Sequence, residues 1–345
     1  MATHKALSHS PMNAAQEPIR HHFLPVFYLK QWSTGDGRIV EFSIPFRKVV
    51  KPKRVHPKGT GFIDRLYAIE GLPGEVSFEV EKDFLSPVDS RAANALDALL
   101  EGRETRPQER EAWARFIMTL LMRMPTEITL LKELVKKIED EVTSNLGMML
   151  LRHAPAEYAS ELDNALVKYK RSVQARLIGH VMRAMSGDDI VSLIAQMNWT
   201  LLDLATAPHE LLTSDRPVVV YRNDRVAGET VISLPVGPRK LFVAATKPKF
   251  LRELRDASHK KVVEAMNIEV VTGASQFVYS SSDRQLTFIQ NRFGTNQNAS
   301  FVAKILTDAG MNLSQMALLI SSFEDDGIRA QIADAIAQRK RQSLV

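Results

Sequence analysis

Cysteine is absent from the 345 residues. That excludes disulfide frameworks, thiolate zinc sites, iron–sulfur clusters and cysteine nucleophiles together. Long apolar runs are missing too. The strongest, Phe116 to Met124, is broken by Arg123, and a membrane-spanning helix needs about 18 or more such residues in succession. The opening residues, MATHKALSHSPMNAAQEPIR, hold no apolar core, so the sequence reads as lacking a secretory signal. With no cysteine to keep reduced or oxidised, the expectation is a cytoplasmic protein with no membrane partner. Glycine and proline stand at only 16 each, which removes collagen-like and low-complexity readings. Glycine-rich phosphate loops, His-Glu-x-x-His and Gly-x-Ser-x-Gly do not occur. Nucleotide-triphosphate, zincin and serine-elbow hydrolase chemistry therefore lack sequence support.

What is present is ordinary in amount and uneven in place. Hydrophobic residues make up 45% and charged residues 25%, which suits a globular fold. The net charge is +5. Between Lys30 and Arg65 nine basic residues face three acidic ones, so that window alone carries +6. Its densest part, Lys51-Pro-Lys-Arg-Val-His-Pro-Lys58, contains two prolines and reads as a solvated loop that stays extended. Clustered cations of this kind are also what phosphate-backbone binding requires. Lys48, Lys51, Lys53, Arg54 and Lys58 are the candidate contacts, with nucleic acid or an acidic protein surface as the partner.

Periodicity gives an α+β reading. Residues 1–20 read as a flexible arm and 21–345 as one large domain. The apolar runs VFYL and RIVEFSI flank Ser33-Thr-Gly-Asp-Gly37 and predict a β-hairpin, with a further strand from Gly61. Ser86-Pro-Val-Asp89 predicts a serine-capped helix from Pro87 to Leu100. Trp113, Phe116, Ile117, Leu120, Leu121 and Met124 mark one face of a second helix, which Pro125 must end or kink. Further helical patterns cover about 128–142, 156–185 and 187–197. After Trp199 the texture turns to strands near 199–206, 210–221, 230–234 and 240–245. A helix near 248–264, an extended run over 269–280 and helices over 307–341 follow. Strands at both ends with helices grouped between them predict a central helical layer (86–197), a second antiparallel block (199–290) and flanking helices.

Six ordered elements carry a resemblance to a microbial family catalogued as domain of unknown function 4238. The first is His22-Phe-Leu-Pro-Val-Phe-Tyr-Leu-Lys-Gln-Trp32. Asp64-Arg-Leu-Tyr67 follows, then the acidic pair Glu81 and Asp89, then Arg123-Met-Pro125. Thr213-Ser-Asp-Arg-Pro217 resembles a Thr-Ser-Asp-x-Pro motif, with Arg216 in place of the usual Asn. Leu234-Pro-Val-Gly-Pro238 resembles a Leu-Pro-Leu-Ser-Pro element, with Gly237 in place of Ser. The resemblance spans about residues 20–290 and implies a family without implying a chemistry.

Three residue types in proline-bounded positions suggest a site. His22, or its neighbour His21, is a candidate acid, base or metal ligand because imidazole titrates near neutrality. The competing role is a strand-pinning hydrogen bond. Arg123 is either a donor to carbonyls freed by Pro125 or an anion clamp. Asp215 either caps its own turn or serves as a base or metal ligand. The capping box is expected to consume Asp89, and Glu81 is expected on the surface. Asp64 with Glu79-Val-Glu-Lys82 does not meet the acid-x-Lys spacing of metal nucleases. The leading expectation is a hydrolase acting on a phosphate-containing substrate, nuclease-like. In it His22 is the acid or base, Asp215 orients it or holds a divalent metal, and Arg123 stabilises negative charge. The alternative is a non-catalytic binding protein in which the same residues hold the fold. The cofactor and the oligomeric state are left open.

Overall fold

The computed structural model describes residues 20–46, 49–67, 80–134, 136–137, 187–222, 229–296 and 300–302. The helices expected over 156–185 and 307–341 lie outside these residues, as do residues 1–19 of the expected arm and Lys48. The architecture is α+β, with antiparallel strands before and after a run of helices in the sequence.

The signature segment does not form the first arm of a hairpin. Arg20–His22 is strand β1, but Val26–Leu29 is a helical turn, α1, running into a 3-10 turn at Lys30–Trp32. Pro25 sits at the extended N-cap of α1 with φ −64° and ψ 145°, which suits a proline that must start a turn. Helical spacing then brings Tyr28 and Trp32 onto one face, their rings 5.3 Å apart edge to face. Both are anchored across the molecule. The Tyr28 hydroxyl lies 2.7 Å from Thr213 Oγ1 and donates to the Pro235 carbonyl at 2.8 Å, and Trp32 Nε1 donates to the Leu211 carbonyl at 2.9 Å.

The hairpin instead joins β2 (Ile39–Phe46) to β3 (Val49–Val55), so the basic segment is its second strand and not a loop. With β6 (Thr213–Ser214) and β10 (Val278–Ser280) these build a four-stranded sheet ordered β3-β2-β10-β6. β3 is its edge. Pro52 offers no amide there, Gln290 Oε1 accepts from the Val50 amide at 2.7 Å, and Lys51 and Lys53 project outward. Proline, a side-chain cap and lysines are how an edge strand is kept from pairing with another chain.

β1 pairs antiparallel with β4 (Phe62–Asp64), setting His22 opposite Phe62. A π-helical turn, Val80–Leu85, runs directly into α2 (Ser86–Leu100). The residue before α2 is Leu85 in helical conformation, with no side-chain cap. Ser86 is therefore not an N-cap, and Asp89 is not spent on one. α3 (Pro107–Met122) follows, with a further helical run over 125–134 beyond Pro125, then α4 (Asp188–Gln196).

The second sheet has the order β5-β9-β8-β7, built from Asn198–Asp203, Val219–Arg222, Thr230–Pro235 and Lys240–Ala245. Its two-residue alternation divides the core. Ile232, Leu234, Phe242 and Ala244 pack with Trp113, Phe116 and the helical layer, while Val231, Leu241, Val243 and Ala245 face the other way. There they meet α5 (Pro248–Asp256) and α6 (His259–Thr272). α6 continues to Thr272, so the extended stretch expected from Glu269 begins only after Ser275. A short α7, Leu286–Gln290, closes the described core.

Candidate functional site

β1 places two imidazoles back to back, because successive side chains of a strand point to opposite faces. His21 is buried and stacks on Tyr67 at 5.0 Å, and its Nδ1 accepts from the Tyr67 amide at 3.2 Å. The chain reaches that position through Arg65, whose φ of 55° is left-handed, a conformation costing a non-glycine residue about 1 kcal/mol or more. His22 leans the other way, its ring tilted against Phe62 at 5.5 Å. The turn beneath it is fixed by Gly61 (φ +68°), whose carbonyl accepts from the Phe23 and Leu24 amides at 2.9 and 3.1 Å.

His22 is partly buried, and its Nε2 is enclosed without a hydrogen-bond partner. Burial lowers its pKa from the ordinary 6.5, and the positive charges of Arg123 and Arg20 lower it further; a hydrogen bond to the Lys58 backbone opposes them. A lowered pKa favours the neutral ring, whose unprotonated nitrogen is an acceptor.

Arg123 ends α3, where Pro125 interrupts the ladder. Its side chain is 0% exposed. Nη1 donates to both oxygens of Asp89, at 3.0 and 3.1 Å, and the guanidinium lies 5.3 Å from the centre of the Phe116 ring. Nε and Nη2 are buried with no partner. These two nitrogens form the side-on edge of the guanidinium, whose parallel N–H bonds match two oxygens of a phosphate or carboxylate. Burial raises the Asp89 pKa, against the downward pull of Arg123.

Asp215 is held by backbone donors. Its carboxylate is buried and accepts from three consecutive amides: Ser275 at 2.9 Å, Gln276 at 2.5 Å and Phe277 at 3.3 Å. Burial nevertheless pushes its pKa up to about 6. No hydrogen bond or ion pair joins Asp215 to His22 or Arg123 among the described residues. Two contacts run between the segments: Arg216 Nη2 donates to Thr126 Oγ1 at 2.8 Å, and Phe277, whose amide bonds Asp215, has its ring 6.4 Å from that of Phe23. The charge of Arg123 thus acts on His22, and Asp89 is the carboxylate paired with Arg123. Sequence reasoning missed Asp89 by assigning it to a cap. The usable signal was its place three residues before Ala92, at the margin of the buried stripe Val88, Ala92, Ala95 and Leu99.

The described basic residues lie on β3 and in the turn after it. Lys51, Lys53 and Arg54 are exposed on β3, and Arg54 is engaged with Asp36 at 2.7 Å. Lys58 is exposed in the 3-10 turn Pro57–Gly59, and it is the backbone of this residue that bonds His22. Glu81 lies among residues whose side chains are not described. Among the described residues no group of three or more His, Asp or Glu side chains converges as a metal site would, and no helix is long and apolar enough to cross a membrane.

The chain matches the model of the family described as "Protein of unknown function (DUF4238)" over residues 20–284, and it belongs to that family. No curated protein and no solved structure matches it. The family elements also meet physically, since Tyr28 of the first bonds Thr213 and Pro235 of the last two.

Proposed function

We propose that the protein is a hydrolase acting on a phosphate-containing substrate, with nucleic acid as the favoured class. One observation carries the reading: Nε and Nη2 of the enclosed Arg123 guanidinium and Nε2 of His22 are all buried and unpartnered, and the Arg123 charge acts on His22. An arginine buried without full pairing is costly, and an oxyanion would satisfy its open edge. Asp89 and Phe116 hold the guanidinium in place beforehand, which is what charge stabilisation in a transition state requires. His22 Nε2 would take a proton from water as the water oxygen attacks phosphorus. The phosphorus–oxygen bond to the leaving group then breaks, and that oxygen acquires a proton from solvent. The exposed Lys51, Lys53 and Lys58 support a nucleic-acid substrate, because their strand leads into the turn that bonds His22. Asp215, with its oxygens on three amides, serves in this reading to set the loop before β10. A divalent metal remains part of the assay, supplied by solution or substrate.

The test is hydrolysis of p-nitrophenyl phosphate, bis-p-nitrophenyl phosphate, DNA and RNA, with and without Mg²⁺, Mn²⁺, Ca²⁺ or Zn²⁺. Phosphate release that falls about 100-fold or more in both His22→Ala and Arg123→Lys supports the proposal. Activity equal in both variants to the parent, or no activity on any of these, counts against it. A non-catalytic binding protein is the second reading, favoured by the complete enclosure of Arg123. It predicts phosphate binding without turnover.

A further inference from the structure

Resting on that reading of the His22–Arg123 group, we infer that it receives a terminal phosphate, the end of a chain or a monoester, and not an internal phosphodiester. The warrant is where the open donors lie. Arg123 has no exposed side-chain surface, and Nη1 is occupied by Asp89. Only the edge made by Nε and Nη2 is left, and it is inside the protein. His22 Nε2 is enclosed as well. An internal phosphodiester carries a sugar on both sides, so its phosphate reaches an arginine only along an open groove. A terminal phosphate carries one substituent and can be inserted end-first into an enclosed position.

Charge points the same way. A terminal phosphate bears one to two negative charges, an internal diester one. The cationic groups acting on His22 are Arg123 and Arg20, with Arg20 held over the Phe62 ring at 4.7 Å. Asp89 neutralises part of Arg123. The basic edge strand would follow the remainder of the strand, since Lys58 joins it to the His22 turn.

The experiment is titration of the full chain with a single-stranded oligonucleotide carrying either a 5′-phosphate or a 5′-hydroxyl, with a 3′-phosphate version and inorganic phosphate alongside. We expect one phosphorylated end to bind about tenfold or more tightly than the hydroxyl end, a difference of about 1.4 kcal/mol. In Arg123→Lys, which keeps a charge and loses the fork, that preference should fall below about twofold. Melting temperature of the variant is measured in parallel to show that it is folded. If Arg123→Lys unfolds, the comparison is repeated in His22→Gln, which keeps a polar side chain. Equal affinity for phosphorylated and hydroxyl ends, with binding still dependent on Arg123, overturns the end preference and leaves the phosphate site standing. Binding of none of these probes, or binding indifferent to both Arg123 and His22, overturns the site as well.

Discussion

Arg123 Nη1 lies 3.0 and 3.1 Å from the two oxygens of Asp89, one guanidinium nitrogen shared between both carboxylate atoms. The bond ties the end of α3 to the first turn of α2 and fixes which edge of the guanidinium stays open. Its two partners are unequal. Arginine cannot shed its proton in a protein, whereas the Asp89 carboxyl, its pKa raised by burial, can neutralise itself.

That inequality predicts an asymmetric stability result. Asp89→Asn leaves an ionised guanidinium enclosed with no counter-charge and should cost about 3–5 kcal/mol. Arg123→Met leaves a carboxyl with 21% of its side chain exposed that can take up a proton, and should cost about 1–2 kcal/mol less than Asp89→Asn. Urea unfolding of both variants and of the double variant checks this. Equal costs would contradict it.

Gly61 should resist substitution. Its φ of +68° is left-handed, and a Cβ there would stand 3.1 Å from Leu24 Cβ, from the Leu24 carbonyl oxygen and from Leu29 Cδ1. Gly61→Ala is expected to lose about 2 kcal/mol or more from conformational strain and contact. The loss should be accompanied by a changed His22 resonance, because the Gly61 carbonyl fixes the turn after β1.

Asp215 sets a pH dependence of defined sign. Its pKa rises from 3.8 unfolded to about 6 folded, so the folded state holds its proton more tightly. The contribution is fully present below pH 3.8 and is lost as pH rises through about 6, by an amount on the order of 3 kcal/mol. The difference in unfolding free energy between the parent protein and Asp215→Asn should therefore shrink as pH is raised from about 4 to about 6.5. A difference that grows over that range would contradict burial as the dominant cause.

His22 titrates with the opposite sign. Its folded pKa lies below 6.5, so its contribution is present above the unfolded value and is lost as pH falls through the folded one. Removing the neighbouring charge in Arg123→Met should raise the imidazole pKa in an NMR titration, because the Arg123 charge is one of the causes holding it down.

Much of this architecture was legible from periodicity and punctuation. Lys240 to Ala245 reads as a strand and is one, and the helix ending before Pro125 ends there because proline has no amide to continue the ladder. The family resemblance was legible through short polar elements such as Thr213-Ser-Asp-Arg-Pro217. The signature segment was misread because a four-residue apolar run has no period of its own. Tertiary bonds from Tyr28 and Trp32 decide that it winds as a helix. Asp89 was misread because a serine and proline before a helix look like a cap, whereas the chain is already helical from Val80. Asp215 was legible as a residue of consequence but not as to its partners, since the amides of Ser275, Gln276 and Phe277 lie 60 to 62 positions away.

The most direct check is the imidazole resonance of His22 in the full chain as inorganic phosphate is added at constant pH. The account predicts a saturable shift with rising protonation of the ring in the parent protein, and its loss in Arg123→Lys at the same phosphate concentrations. A His22 signal that ignores phosphate, or that responds equally when Arg123 is replaced, would contradict it.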